Sequence, residues 1–257
     1  MTAALNPYLH NPELQGEAFF FEGTRPEAIL LLHGFTATSF EVRRLGETLH
    51  EAGFTTAGPL LPGHGTRPAD LNRVHWQQWI ETAEAGYQAL ARDHQRVFVG
   101  GESNGGLIAL YLAALHPEIA GVLAYAPALI LPLTAWQRLA LRMIAPFVAA
   151  LPKPDLDDDQ SWQGYKVNPP KGILQLMRLQ TETRRRLPDV HQPVLIVQGQ
   201  KDQTIDPRSA EVIFESIASP VKTLRWMENS GHCVLLDKEH SLVLRYTLDF
   251  LAGLTLD

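Results

Sequence analysis

The chain has 257 residues, of which 45% are hydrophobic and 19% charged, as expected of one globular domain with a full core. The formal net charge of −6 argues against a nucleic-acid partner, because nucleic-acid-binding proteins present a basic face. A single cysteine excludes an intrachain disulfide and, with an amino terminus that lacks signal-peptide features, predicts a cytoplasmic protein. Arg142 and Pro146 interrupt the apolar stretch 139–151, so we expect no membrane span.

The amino-terminal half alternates short apolar runs with helical patterns. Residues 28–32 form a continuous apolar run, which is typical of a strand buried on both faces of a parallel sheet. Alternating strands and helices imply right-handed crossovers and a mostly parallel sheet flanked by helices, an α/β fold. The other predicted elements here are an edge strand at 19–21, a helix ending near Gly53, a strand at 54–57, an amphipathic helix at 76–92, and strands at 97–99 and 122–125.

This alternation stops after Pro127 and resumes at Pro193. Between them we find no strand pattern but two helix candidates, 136–150 and 172–187. We therefore predict an α/β core formed by 1–127 and 191–257, with 128–190 inserted as a small helical cap over the sheet edge. Apolar residues of this cap are candidates to line a substrate pocket, although each is also explained by packing of the cap on the core; the candidates are Ile130, Leu131, Trp136, Met143 and Met177.

No motif predicts a metal ion or another cofactor. The acidic run Asp157-Asp158-Asp159 has no histidine nearby, and three adjacent carboxylates alone make a poor metal site. We expect a solvated turn there.

The most informative motif is Gly101-Glu102-Ser103-Asn104-Gly105, a G-x-S-x-G that lies between a strand pattern and a helix pattern. The glycines two residues either side of the serine permit a tight turn that a side chain would block. Such a turn presents the hydroxyl at the sheet edge, next to the first amides of the following helix. We therefore predict that Ser103 is a nucleophile.

A serine hydroxyl needs an imidazole base within hydrogen-bond reach. The last predicted strand covers residues 222–227. Of the ten histidines, His232 alone follows this strand in a Gly-containing loop. His33 begins a loop near the nucleophile, where a structural hydrogen-bonding role explains it better, and His64 lies between glycines in a turn. His232 is the predicted general base.

The imidazole in turn needs a carboxylate that fixes its tautomer. Asp202 lies in the turn just past the predicted strand 194–197, with no structural role to explain it. Asp206 precedes Pro207, an arrangement that helix capping explains, and Asp237 is a third choice. Asp202 is therefore the predicted acid.

An oxyanion intermediate needs two amide donors. One is predicted to be the N–H of Asn104, the residue after the nucleophile. The other is predicted to be the N–H of Phe35, in the loop after the first strong strand.

With these pieces in place the sequence resembles the α/β-hydrolase superfamily, and within it the bacterial carboxylesterase and monoacylglycerol lipase group. The chain order Ser103, Asp202, His232 is the order of that superfamily. The resemblance covers most of the chain from residue 28 onward, through the segments His33-Gly34-Phe35-Thr36, Gly63-His64-Gly65-Thr66, 101–106, 175–179, 193–207 and Gly231-His232.

This resemblance implies hydrolysis of short- to medium-chain carboxylic esters through an acyl-enzyme, with a small cap, the Phe35 and Asn104 amides in the oxyanion hole and no cofactor. The group usually has Met or Leu at the position of Asn104, and often has His after the acid, where this chain has Gln203. Glu102 is also unusual for the group.

Three functions fit this pattern. The first is a serine carboxylesterase that acts on a small-molecule ester. The second is an acyltransferase or perhydrolase that uses the same triad. The third is a non-catalytic ligand-binding protein of the same fold, against which a complete triad argues. The oligomeric state is open between monomer and homodimer.

Overall fold

A computed structural model describes residues 5–153 and 162–254. Asp157, Asp158 and Asp159 therefore lie outside the described residues. The strands in chain order are β1 (Leu9–His10), β2 (Phe19–Phe21), β3 (Glu27–Leu32), β4 (Thr55–Gly58), β5 (Arg96–Glu102), β6 (Gly121–Tyr125), β7 (Leu151–Pro152), β8 (Gly164–Tyr165), β9 (Val167–Asn168), β10 (Val194–Gly199) and β11 (Lys222–Met227).

Eight α-helices accompany these strands in the described residues, together with a short 3-10 helix at Leu187–Asp189. None of the described helices has the length and apolar character needed to cross a membrane. The α-helices are α1 (Phe40–Glu51), α2 (Pro68–Leu71), α3 (Trp76–Asp93), α4 (Asn104–Leu115), α5 (Ala135–Ile144), α6 (Pro170–Arg186), α7 (Arg208–Ser216) and α8 (His240–Leu254).

Seven strands form one mostly parallel sheet in the order β11-β10-β6-β5-β3-β4-β2. Only β2, at the edge, runs antiparallel to its neighbour β4. Parallel strands need crossover connections, and the helices that make them cover both faces of the sheet. The prediction of a mostly parallel sheet flanked by helices is confirmed.

The core lies on the two faces of this sheet. All six residues of β3 are buried. Leu30 and Leu32 pack with the side chains of α3 and α4, whereas Ile29 and Leu31 pack with those of α1 and α8. Because successive side chains of a strand point to opposite faces, an unbroken apolar run is what a doubly covered strand requires.

The segment between β6 and β10 leaves the sheet, but it differs from our expectation in one respect. We expected no strand between 128 and 190, and this was wrong because the segment contains β7, β8 and β9. Each is two residues long, too short for a sequence pattern, and two of them pair with each other while β8 pairs with β1. The helix α6 begins at Pro170 and packs on α4.

The fold predicts a stability test at Gly105. A Cβ at this position would overlap the carbonyl oxygen of Leu32. Gly105→Ala should therefore lower the free energy of unfolding by about 1–3 kcal/mol. A Cβ at Gly253, also helical, meets no atom within 4 Å, so Gly253→Ala should be neutral or slightly stabilising, by no more than about 1 kcal/mol. Urea unfolding measures both variants, and equal stability of the two would contradict the close approach.

Candidate active site

Ser103 occupies the junction between β5 and α4 in a strained backbone conformation, with φ 56° and ψ −112°. A non-glycine residue with positive φ costs on the order of 1–3 kcal/mol, and such strain persists only where the surroundings enforce it. Here the first turn of α4 lies directly against the end of β3, and side chains at Gly101 and Gly105 would both overlap the Leu32 carbonyl. The turn predicted from the G-x-S-x-G motif is therefore present.

The structure brings Ser103, His232 and Asp202 together from three separate loops. Ser103 Oγ lies 2.9 Å from His232 Nε2, and His232 Nδ1 lies 2.8 Å from Asp202 Oδ2. Asp202 follows β10 and His232 follows β11, so both emerge at the carboxyl edge of the sheet, as Ser103 does. This arrangement can remove a proton from a serine hydroxyl and hold the resulting imidazolium.

Asp202 is held by donors besides the histidine. Its Oδ1 accepts the N–H groups of Thr204 and Ile205, and its Oδ2 also accepts the side-chain amide of Gln198. Burial alone would raise the pKa of Asp202, but the nearby His232 and these hydrogen bonds outweigh it, and the pKa is lowered. Asp202 is therefore suited to remain ionised beside the imidazole.

The two competing aspartates have other partners. Asp206 accepts the N–H of Arg208 and pairs with its guanidinium, in agreement with the capping interpretation. Asp237 Oδ2 accepts the N–H of Gly231, so Asp237 stabilises the loop that carries His232.

Two amides near the serine are free of acceptors in the described part of the chain. They are the N–H of Phe35 and the N–H of Asn104, and no hydrogen bond joins either to another group there. Asn104 is the first residue of α4, so its amide belongs to the positive end of the helix dipole. A Cβ at Gly34 would lie 3.2 Å from Ser103 Cβ, so the loop that carries Phe35 runs beside the serine.

The Gly34 loop is braced by Glu41, a buried residue in α1 that sequence reasoning missed. Glu41 Oε2 accepts the N–H of Gly34 at 2.5 Å, and Oε1 accepts the indole N–H of Trp162 at 3.0 Å. A glutamate in a first helical turn is typical of dipole complementation, so sequence alone gave no signal of this role.

Glu102, the residue before the serine, is fully buried. Its Oε1 accepts the N–H of Leu235, three residues after His232, so it ties the serine turn to the histidine loop. Burial, and then the proximity of Glu41, raise the pKa of Glu102 well above its ordinary 4.5. The sequence marked Glu102 as unusual, and the structure gives it this positioning contact.

His33 has the structural hydrogen-bonding role expected of it. Leu61 N–H donates to His33 Nε2, and His33 Nδ1 bonds the carbonyl of Gly34. Burial lowers the pKa of His33 to about 4, so the ring is neutral at physiological pH. The rings of His33 and His64 meet edge to face at 4.8 Å between centroids.

Ser103 and His232 open into a cavity of about 440 Å³, here called the Ser103 cavity. Its apolar walls are contributed by the Phe35 loop, by residues that follow β6 and by α6; they include Phe35, Leu131, Leu133, Ile173 and Leu176. Leu131 is thus the one residue of the five pocket candidates that the structure places in this cavity.

The structure places the other four pocket candidates outside the Ser103 cavity. Trp136 and Met143 are 72% and 66% exposed, so the apolar side of α5 that carries them faces solvent. Ile130 and Met177 line a second cavity of about 650 Å³ that does not include Ser103. Helical periodicity identifies an apolar face but does not say what that face contacts.

The described residues hold no group of three or more His, Cys, Asp or Glu side chains arranged for a metal ion. Cys233, beside His232, is buried and its thiol lies 3.9 Å from Glu41 Oε1. Burial raises the pKa of Cys233 well above its ordinary value, which agrees with a packing role rather than thiolate chemistry.

Known proteins that resemble this chain belong to a family that fits the site geometry described above. Residues 29–243 match the alpha/beta hydrolase family, and the chain belongs to that family. It is 32% identical over 241 residues to a thermostable monoacylglycerol lipase of a Bacillus species, with 94% of this chain and 96% of the lipase covered. It is 30% identical over 237 residues to a carboxylesterase of Bacillus subtilis, with 92% and 96% covered.

A solved structure of a metagenome-derived lipolytic enzyme has the same fold. It is 30% identical, with a TM-score of 0.87 over 97% of this chain and 100% of that chain. The predictions of the family and of an esterase- or lipase-type hydrolase are confirmed.

Glu102 yields a prediction about stability and pH. At pH values above 4.5, the ordinary pKa of Glu102, this residue loses its proton in the unfolded chain but retains it in the folded protein. Glu102 therefore lowers the free energy of unfolding as the pH rises. Glu102→Gln removes this penalty while keeping the acceptor for Leu235. We expect the variant to exceed the wild-type unfolding temperature at about pH 8, with the difference shrinking below about pH 4.

The control for this test is Glu47→Gln, which removes an exposed carboxylate of α1. It should follow the wild-type dependence of unfolding temperature on pH. A difference between Glu102→Gln and wild type that stays constant from acid to alkaline pH would contradict the buried, proton-retaining Glu102.

Proposed function

We propose that the protein is a serine carboxylesterase that hydrolyses short- to medium-chain carboxylic esters through an acyl-enzyme. The observation that carries this proposal is the continuous hydrogen-bond chain from Ser103 Oγ through His232 to Asp202. In an enzyme of this family such a chain is the machinery of acyl transfer.

In the first half of the reaction, Ser103 Oγ attacks the ester carbonyl carbon while His232 Nε2 takes the hydroxyl proton. The resulting oxyanion accepts hydrogen bonds from the N–H groups of Phe35 and Asn104. The tetrahedral intermediate then collapses, the C–O bond to the alcohol breaks, and His232 returns the proton to the departing alkoxide. The acyl group remains on Ser103.

In the second half, a water molecule takes the place of the alcohol. His232 removes a proton from the water as it attacks the acyl-enzyme, and then donates that proton to Ser103 Oγ when the acid leaves. Asp202 keeps the imidazole in the tautomer that accepts at Nε2, and it stabilises the imidazolium in both halves.

The Ser103 cavity supports esters with an apolar acyl chain. Its volume of about 440 Å³ lies in the lower part of the range for small-molecule sites, and its walls are largely apolar. The relatives named a carboxylesterase and a monoacylglycerol lipase support an ester as the substrate.

We also propose that 128–190 acts as the cap of the site. Leu131, Ile173 and Leu176 from this segment contribute to the cavity wall, whereas the sheet and its loops supply Ser103 and His232. These positions support a division in which the α/β core carries the reacting side chains and 128–190 shapes the pocket that receives the substrate.

The proposal predicts a graded loss of ester hydrolysis. Ser103→Ala should lower kcat for a p-nitrophenyl ester on the order of 10⁵- to 10⁶-fold. Asp202→Asn should lower it on the order of 10⁴-fold, because the amide favours the wrong tautomer of His232. Initial rates over a series of acyl lengths measure both effects.

Asp206→Asn is the matched control, since it changes the competing carboxylate of the same loop and should leave kcat near the wild-type value. Undiminished turnover by Ser103→Ala, or equal losses in the two aspartate variants, would overturn the proposed triad. Added alcohol serves as a second arm, because an ester product would instead indicate acyl transfer.

A further inference from the structure

The Ser103 cavity contains a lysine that the proposed mechanism does not use. Lys153 follows β7 and lines the cavity together with Ser103 and His232. Other titratable side chains along the walls are Glu41 and Cys233, and Lys201 lies exposed at the rim, where it contacts Asn229.

The ammonium of Lys153 is held in a defined position. Its Nζ donates to Thr36 Oγ1 at 2.7 Å and lies 3.9 Å from the ring centroid of Trp162. Thr36 follows Phe35, whose amide is the proposed oxyanion donor. The ammonium is therefore held by the residue that directly follows the proposed oxyanion donor.

Lys153 keeps its charge at neutral pH. Burial lowers the pKa of Lys153 to about 8, against the opposing effects of Cys233 and Glu41. The side chain is therefore mostly an ammonium at pH 7, in a cavity whose walls are otherwise largely apolar. Burying a cation is costly unless an anion or several acceptors face it.

Glu41 helps to stabilise the charge of Lys153, but it is not directly bonded to it. Its two oxygens are engaged by the Gly34 amide and the Trp162 indole, and within the described residues it forms no ion pair with Lys153 within 4.0 Å. An ammonium has three N–H donors, of which the hydrogen bond to Thr36 uses one. A ligand in the cavity is positioned to accept from the others.

We propose that Lys153 is a specificity-determining residue that binds a carboxylate carried by the ester substrate. The preferred substrates are then amphiphilic esters that also carry a free carboxylate, with an apolar chain against Leu131, Ile173 and Leu176 and the carboxylate against the ammonium. This inference rests on the proposed ester hydrolysis and adds the substrate class to it. A charge-assisted hydrogen bond of this kind is strong and directional.

The test compares matched pairs of esters that differ by one methyl-to-carboxylate exchange. In the first pair, ethyl pentanoate is compared with the monoethyl ester of glutaric acid, so that the carboxylate lies on the acyl side. In the second pair, ethyl butanoate is compared with the butanoyl ester of glycolic acid, so that it lies on the alcohol side. Released acid is titrated at constant pH, and KM is determined for each ester.

The variants are Lys153→Met, which keeps the aliphatic stem on Trp162, and Lys153→Arg, which keeps the charge. We expect wild type to show a lower KM for the carboxylate member of one pair, and that pair identifies the side on which the carboxylate binds. Lys153→Met should raise the KM ratio of carboxylate ester to neutral ester by roughly 10- to 100-fold, and Lys153→Arg should retain most of the preference.

Lys171→Met is the matched control, because it removes the same charge from an exposed position at the start of α6. It should keep the wild-type KM ratio. Circular dichroism and turnover of the neutral ester show whether each variant is folded.

Hydrolysis by wild type with no preference for either carboxylate ester, or an equal change of KM for both members of a pair in Lys153→Met, would overturn this inference alone. Absence of hydrolysis for all four esters, neutral and carboxylate alike, would overturn the proposed function and this inference with it.

Discussion

The site depends on the close approach of the first turn of α4 to the carboxyl end of β3. Because Gly101 and Gly105 have no side chains, the backbone around Ser103 lies against the Leu32 carbonyl, and Ser103 is held at φ 56°. A residue in this region costs on the order of 1–3 kcal/mol, which the buried strands and helix on either side offset. The strain serves a purpose, since it presents the hydroxyl at the sheet edge with the helix amides behind it.

Two buried carboxylates join the loops around this turn. Glu41 holds the Gly34 amide, and Glu102 holds the Leu235 amide, so one braces the proposed oxyanion loop and the other the histidine loop. Burial is the main cause of the raised pKa of both carboxyl groups, so placing them here lowers the stability of the folded protein at neutral pH. The same region holds the ammonium of Lys153 on Thr36, the residue after Phe35.

The sheet and the three central side chains were predictable because each has a local signal. Continuous apolar runs give buried parallel strands, and Ser103, Asp202 and His232 each follow a strand, so they meet at one edge. The cavity wall was not predictable in the same way. The apolar face of α5 has the right periodicity but faces solvent, and Lys153 meets Thr36 across 117 positions of sequence. Contacts of that kind have no local pattern. The oligomeric state and the compartment stay predictions.

Labelling with an alkyl fluorophosphonate tests the central claim most directly, because this reagent reports an activated serine whatever the natural substrate. The proposed triad predicts a single phosphonyl adduct in the intact-protein mass, located on the peptide that carries Ser103, and a labelling rate that falls by orders of magnitude in His232→Gln. An adduct on another residue, or a labelling rate that does not depend on His232, would contradict the proposed role of the serine turn.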